Sequence, residues 1–137
     1  MPRVRRLMSV MAALTIAVAC GETPNPFGVN RIPTTDPIFH ALESRQRYWC
    51  ERITGETCLV YLSSAHPRYA AWVDWRLSSP AVFWNERVLT DRQFWITDPR
   101  MAHEACHLRH GWHPEWSSQM TEEFADHCAL QYTGHAP

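Results

Sequence analysis

Residues 98–111 read DPRMAHEACHLRHG, and the rest of the chain is organised around this stretch. Asp98 is a good N-cap and Pro99 is a good first helical residue, while Gly111 is a natural helix terminator. The stretch therefore predicts an α-helix that begins at Pro99 and ends before Gly111.

The same helix carries the pattern H-E-x-x-H at residues 103–107. His103 and His107 are one turn apart on one helical face, so both imidazoles can bind the same metal ion. Glu104 can reach a metal-bound water without being a ligand itself. Two histidine ligands, an acidic general base and a position open to solvent are the parts of a zinc hydrolase site. The pattern predicts one Zn²⁺ per chain.

The first 20 residues have the pattern of an export signal. Three arginines precede an apolar run over residues 7–19, which is too short to span a bilayer comfortably. The small residues before Cys20 resemble the lipobox of bacterial lipoproteins, in which the cysteine is lipidated. We predict a protein anchored by lipid at Cys20 in the bacterial envelope, facing the periplasm. Gly21 favours the outer membrane, by resemblance to lipoprotein sorting rules. Ordinary signal cleavage, giving a secreted protein, is the alternative.

Residues 21–35 contain three prolines that interrupt regular structure, and they indicate a flexible tether to a membrane. The remaining residues, 36–137, are enough for one domain. A hydrophobic content of 45% indicates a packed globule. The formal net charge of −1 gives no indication of nucleic-acid binding.

The predicted domain alternates between helical and strand signals. Asp36 and Pro37 repeat the cap-plus-proline signal and start a helix that should end near Gly55. The strand candidates are short runs of apolar and β-favouring residues, at residues 58–62, 70–77, 81–89 and 93–97. A last helix is predicted over residues 117–132. This order indicates an α+β fold with a small mixed sheet of three or four strands.

The last predicted helix offers the third ligand that a catalytic zinc normally has. Glu122 and Asp126 stand four residues apart on one face; Glu122 can complete the coordination, and Asp126 can accept the free N–H of a ligand histidine. Together with H-E-x-x-H, this pair resembles the gluzincin metallopeptidases. The pattern E-x-x-A-D-x-x-A at residues 122–129 is similar to the second motif of their HtpX-like, membrane-associated branch. There the Glu four before the Asp is the ligand, which points to Glu122 over Glu123.

The resemblance covers roughly residues 36–132 and implies a minimal zincin core of helix, sheet, helix and helix. It implies a zinc metalloendopeptidase acting on envelope or extracellular polypeptides through metal-activated water, with Glu104 as general base. An extended peptide would add to the strand nearest the cleft, which we place at residues 81–89. The oxyanion-stabilising group stays open among five downstream residues: Tyr132, His127, His135, His110 and His113.

Four cysteines lie in the predicted domain, and an even number in an exported domain predicts two disulfides with three possible connectivities. We favour Cys50–Cys58, which would close the connection between helix and strand. The second bridge would then be Cys106–Cys128, which would tie the two metal-bearing helices together. Buried free thiols are the alternative.

Three other interpretations remain open. His113 stands where the metzincin pattern H-E-x-x-H-x-x-G-x-x-H has its third histidine ligand, although His110 occupies the glycine position of that pattern. Residues 56–59 (ETCL) faintly resemble a segment of the peptide deformylases, whose glycine-rich motif is missing. The non-enzymatic alternative is a zinc-stabilised lipoprotein domain that binds a partner through Trp112 and Trp116.

Overall fold

The computed structural model of the chain describes Ile32 and residues 34–74, 79–91, 94–111 and 113–137. Within them, three α-helices and a three-stranded sheet form an α+β fold, as predicted. The elements are α1 (Pro37–Thr54), β1 (Leu59–Ser63), β2 (Ala71–Val73), β3 (Ala81–Asn85), a 3₁₀ turn (Glu86–Leu89), α2 (Asp98–His110) and α3 (Ser118–Thr133). The expected fourth strand is not formed, because residues 94–97, its described part, have no strand structure.

Helix α1 begins and ends where the sequence signals predict. Asp36 is the N-cap, and its Oδ1 accepts a hydrogen bond of 2.8 Å from the Ile38 N–H. Gly55 has a φ of 81° and donates its N–H to the Glu51 carbonyl. Glycine adopts this left-handed conformation without strain, so the helix stops there. Ser117 caps α3 in the same way as Asp36 caps α1.

Helix α2 begins one residue earlier than predicted. Thr97 occupies the N-cap position, and Asp98 is the first helical residue. The Asp98 carboxylate accepts a hydrogen bond of 3.1 Å from Nε1 of Trp49 and pairs with Arg45 at 2.6 Å. Burial raises the pKa of Asp98, but these two partners outweigh it and lower the pKa below its ordinary value. The carboxylate therefore ties the start of α2 to α1.

The sheet is mixed, with the strand order β1-β3-β2. β3 pairs in parallel with β1 and antiparallel with β2, and all of its residues are buried; its apolar side chains pack alternately in two clusters, one on each face of the sheet. Our placement of the substrate strand at residues 81–89 is therefore wrong. Residues 81–85 form the central strand, and residues 86–89 form the 3₁₀ turn. A peptide can add only to an edge, and β2 provides one.

Helices α1 and α2 cover one face of the sheet, and α3 packs against α2, which therefore lies between the other two helices. Alternate residues of β1 and β3 pack on this side in one cluster with the helices: Val60, Leu62, Val82 and Trp84. The other face carries a row of stacked aromatic rings across the three strands: Tyr61, Phe83 and Trp72. The central position of α2 is evident from Met101, Ala102 and Ala105, which are all 0% exposed.

Both predicted disulfides are present. Cys50–Cys58 joins the end of α1 to the residue before β1, and Cys106–Cys128 joins α2 to α3. Cys58, the cysteine that a deformylase-like ligand set would need, is therefore bonded in a disulfide and is not available as a metal ligand. Two disulfides are compatible with an exported protein.

The predicted leader, the lipidation site Cys20 and most of the predicted tether lie outside the described residues and stay predictions. Within the tether range, the Ile32 N–H donates to the Leu62 carbonyl at 2.9 Å and so forms a single bridge to β1. None of the described helices has the length and apolar character needed to cross a membrane.

Candidate metal centre

The i, i+4 spacing on α2 brings two imidazoles together. The Nε2 atoms of His103 and His107 are 2.9 Å apart, and the two rings are nearly perpendicular. His107 is buried, and the side chain of His103 is 12% exposed. Both nitrogens therefore point at one place beside the helix, as the sequence predicts.

Helix α3 brings Glu122 to the same place. Its Oε2 lies 3.1 Å from Nε2 of His103, and its Oε1 lies 3.2 Å from Nε2 of His107. Around a tetrahedral zinc ion with bonds of about 2.0–2.1 Å, two ligand atoms are roughly 3.3 Å apart. The observed separations of 2.9, 3.1 and 3.2 Å are shorter than this value by 0.1 to 0.4 Å, and the two that involve Glu122 are measured to different oxygens of its carboxylate. The described residues thus contain a His103, His107 and Glu122 group that could hold a metal ion.

The histidines and carboxylates of this group stabilise each other's charged forms. Hydrogen bonds with His103 and His107 hold the pKa of Glu122 far below its ordinary value, against the effect of partial burial. Burial lowers the pKa of His103, but Glu122, Glu104 and Asp126 together raise it above its ordinary value. Glu122 is therefore ionised at neutral pH, the form that binds a metal ion.

Asp126, one turn beyond Glu122, contacts the other nitrogen of the first ligand histidine. Its Oδ1 lies 2.8 Å from Nδ1 of His103, an ion-pair distance, although the direction is not that of a linear hydrogen bond. A carboxylate at Nδ1 fixes the tautomer that presents the Nε2 lone pair to a metal.

Glu104 lies beside the ligands and is not one of them. It is 7% exposed, and its Oε2 has no hydrogen-bond partner in the described part of the chain. Burial raises the pKa of Glu104, and the opposing charges of His107 and His103 do not cancel this effect. A buried carboxylate oxygen needs a polar partner, and a water on a bound metal ion is such a partner. The donor set and this spare oxygen fit a centre that holds a metal ion with a bound water.

A cavity of about 290 Å³ opens beside the ligands. Its walls come from the loop before β2, from β2 itself and from α2 and α3. The residues that bear on its chemistry are Arg68, Tyr69, Ala71, Arg100, Glu104 and Glu122. The cavity thus joins the metal group to one edge of the sheet.

Asn85, buried at the end of β3, holds the loop that borders this cavity. Its Nδ2 donates to the carbonyls of His66, Pro67 and Tyr69 over distances of 3.3, 3.4 and 3.2 Å. An amide nitrogen has two protons, so these three contacts share them. The backbone at Arg68 and Tyr69 is therefore positioned by the sheet.

His113 does not join the ligand group. Its Nδ1 lies 3.2 Å from Oε1 of Glu115, its Nε2 lies 2.8 Å from the His110 carbonyl, and its ring stacks on Trp116. The described residues thus form the ligand set that contains Glu122, and not the metzincin-type set. Trp116 is half-buried, and Trp112, the other half of the suggested binding surface, lies outside the described residues.

None of the five residues suggested for the oxyanion lines the cavity. Tyr132 and His135 border a different groove, and His110 and His127 border a third cavity near the Cys106–Cys128 bridge. The polar donors that do line the cavity come from the loop before β2 and from α2.

Sequence reasoning missed four residues of this region: Arg68, Tyr69, Asn85 and Arg100. Arg100 had a local signal, because it stands three residues before His103 and so shares its helical face. The other three had none, because they reach the site only through the strand order that sets β2 at the edge beside α2.

Comparisons of the chain with protein-family models, with curated proteins and with solved structures found no match. The function is therefore argued from the site itself.

Proposed function

We propose that the protein is a zinc-dependent peptidase of the gluzincin type that hydrolyses peptide bonds of envelope or extracellular polypeptides. The observation that supports this most is the triangle of His103, His107 and Glu122 beside Glu104, a buried carboxylate with a spare oxygen. A structural zinc site is closed by four protein ligands and has no use for a base. Three ligands with an adjacent base favour a catalytic site.

Each residue of the site has a role in this proposal. His103, His107 and Glu122 would hold one zinc ion per chain, with Asp126 orienting His103. The bound ion would supply Lewis acidity and an acidified water. Glu104 accepts the proton of the attacking water and passes it to the leaving amine.

The edge of β2 supports the binding of an extended peptide. The Asn85 N–H donates to the Ala70 carbonyl at 2.8 Å, so Ala70 and, two residues on, Trp72 direct their backbone groups to β3. Ala71 and Val73 therefore direct theirs to the other side, where the described residues form no further strand. Ala71 also lines the cavity, so a peptide added at this edge would pass beside the ligands.

Tyr69 is the group that we assign to the oxyanion, in place of the downstream candidates. It lines the cavity, it is 62% exposed, and its backbone is positioned by Asn85. A phenol O–H held beside the reacting carbonyl can donate to the negative charge that develops there.

The test measures zinc content and peptide hydrolysis of the full chain after loading with zinc. We expect one zinc ion per chain in the parent, its loss in Glu122→Gln, and its retention in the matched control His113→Ala. Glu104→Gln should keep the zinc and lose hydrolysis by about 10²-fold or more, because only the general base is removed.

Each contrary result has a definite meaning. Zinc kept in Glu122→Gln and lost in His113→Ala would move the site to a metzincin-type set. Hydrolysis by Glu104→Gln at the parent rate would refute the mechanism. A parent that binds zinc and cleaves nothing would be the non-catalytic, zinc-stabilised domain.

A further inference from the structure

Two arginines line the cavity beside the metal ligands, and neither has a carboxylate partner among the residues that the structure describes. Arg100 lies on α2, one turn before His103, and Arg68 lies on the loop before β2. Both residues are exposed. Of the carboxylate side chains around the cavity, Glu122 contacts both ligand histidines, Asp126 contacts His103, and Glu104 is buried; Pro137 also lines the cavity.

No ion pair engages the guanidinium groups of Arg68 and Arg100 within the described residues, so both can bind an anionic group from outside the chain. A guanidinium is charged at every pH that proteins experience. Its planar fork matches a carboxylate, with two parallel N–H···O bonds, and such charge-assisted pairs are stronger than neutral hydrogen bonds. A peptide offers carboxylates in the side chains of Asp and Glu and at its own C-terminus.

The arginines stand close to the reacting centre. Arg68 and Arg100 line the same cavity as the ligands His103 and Glu122 and as Glu104. The cavity of about 290 Å³ is also at the lower end of the range for ligand pockets, about 300–1,000 Å³, so it admits only a short part of a peptide. A carboxylate bound by Arg68 and Arg100 therefore belongs to a residue at or next to the scissile bond.

We propose that the substrates are peptides with a carboxylate at or next to the scissile bond, and that Arg68 and Arg100 are the specificity-determining residues that bind it. This inference rests on the proposed peptidase function and adds a substrate class to it. The carboxylate comes either from an acidic side chain or from the peptide C-terminus, and the two sources are distinguished by experiment.

The experiment uses the zinc-loaded full chain and four alanine-rich peptides of one length. Three have an amidated C-terminus and differ at one central position, which is Glu, Gln or Lys. The fourth has Gln at that position and a free C-terminal carboxylate. Mass spectrometry identifies the bond cut, and kcat/KM is measured for each peptide. We expect the Glu peptide, the free-carboxylate peptide or both to exceed the amidated Gln peptide by about tenfold or more.

Variants connect this preference to the two arginines. Arg68→Gln and Arg100→Gln should each bring the ratio between the carboxylate peptide and the amidated Gln peptide toward one. Effects on the metal or on Glu104 cancel in that ratio, because they act on both peptides. Arg109→Gln, on the same helix but bonded to Tyr132, is the matched control and should leave the ratio unchanged. Arg68→Glu should favour the Lys peptide.

The outcomes separate this inference from the proposed function. Equal cleavage of all four peptides would overturn the inference and leave the peptidase intact. If no peptide is cleaved, the peptidase proposal fails, and binding of the same peptides to the zinc-loaded chain decides the inference. A carboxylate preference in binding that Arg68→Gln removes would uphold the carboxylate site, and equal or absent binding would overturn it.

Discussion

Single side chains at this site are best understood from the partner that each one needs. Glu104 has a buried oxygen without a hydrogen-bond partner, and His103 and His107 direct nitrogen atoms at each other and at Glu122. A metal ion with its water satisfies all of these groups at once. Tyr69 is different, because it lines the cavity and is 62% exposed, so the partner of its hydroxyl would be the substrate.

For Tyr69→Phe we expect kcat to fall by about 10²-fold or more, which is the usual cost of one oxyanion donor, while zinc content and KM change little. Steady-state kinetics and metal analysis on the same preparation measure this. Tyr48→Phe removes a hydroxyl from another exposed tyrosine, on α1, and is the matched control. An unchanged kcat in Tyr69→Phe would assign the oxyanion to another group of the cavity.

The ligand residues could be predicted because their signals are local. His103 and His107 are four residues apart on one helix, as are Glu122 and Asp126 on another, and each pair shares a helical face by geometry alone. Tyr69 could not be predicted in this way. Its position depends on pairing between β2 and β3, which no spacing within the loop encodes.

At the scale of elements, the two metal-bearing helices are held together near the site by Cys106–Cys128. Cys106 is next to His107, and Cys128 is two residues after Asp126. Cys50–Cys58 joins elements that carry none of the ligands. The two bridges can therefore be compared as test and control. Only the loss of Cys106–Cys128 should affect the spacing between the ligand histidines and Glu122.

We expect the double Ser variant of either bridge to lose about 3 kcal/mol of unfolding free energy, by loop entropy. Only Cys106→Ser with Cys128→Ser should also weaken zinc binding by the folded protein, by about tenfold, because α3 is no longer tied to α2. Urea unfolding without metal and a competitive zinc titration measure the two effects. Equal zinc affinities in the two variants would show that packing alone positions α3.

The helix boundaries were predictable and the strand order was not. Caps are short-range signals, as Asp36 and Gly55 show for α1. Burial within the helix depends on long-range contacts: Gln46 is a polar residue of α1, yet it is fully buried, and its Nε2 donates to the Met101 carbonyl at 2.9 Å. Tyr48, an aromatic residue of the same helix, is 55% exposed. In the same way, the apolar sequence of β3 indicated a buried strand, but it did not indicate that the strand lies in the centre of the sheet.

For the whole molecule, the site couples metal binding to folding. The ligands come from two helices, and Glu122 is exposed on α3 while its partners lie on α2. The unfolded chain has no such arrangement, so zinc binds the folded state preferentially and stabilises it. Cys106–Cys128 crosslinks the same helices covalently, so the domain should stay folded without zinc in its oxidised form.

We therefore expect chelation to lower the Tm of the oxidised chain without abolishing its cooperative unfolding. Free zinc at 100 times its Kd adds about 2.7 kcal/mol, which corresponds to a shift of about 10 °C or more for a domain of this size. Calorimetry with zinc and with a chelator measures it. His113→Ala should show the parent shift and His103→Ala should show none, because only His103 belongs to the ligand triangle. A parent whose Tm does not respond to the chelator would mean that this triangle holds no metal, and the peptidase proposal would fail with it.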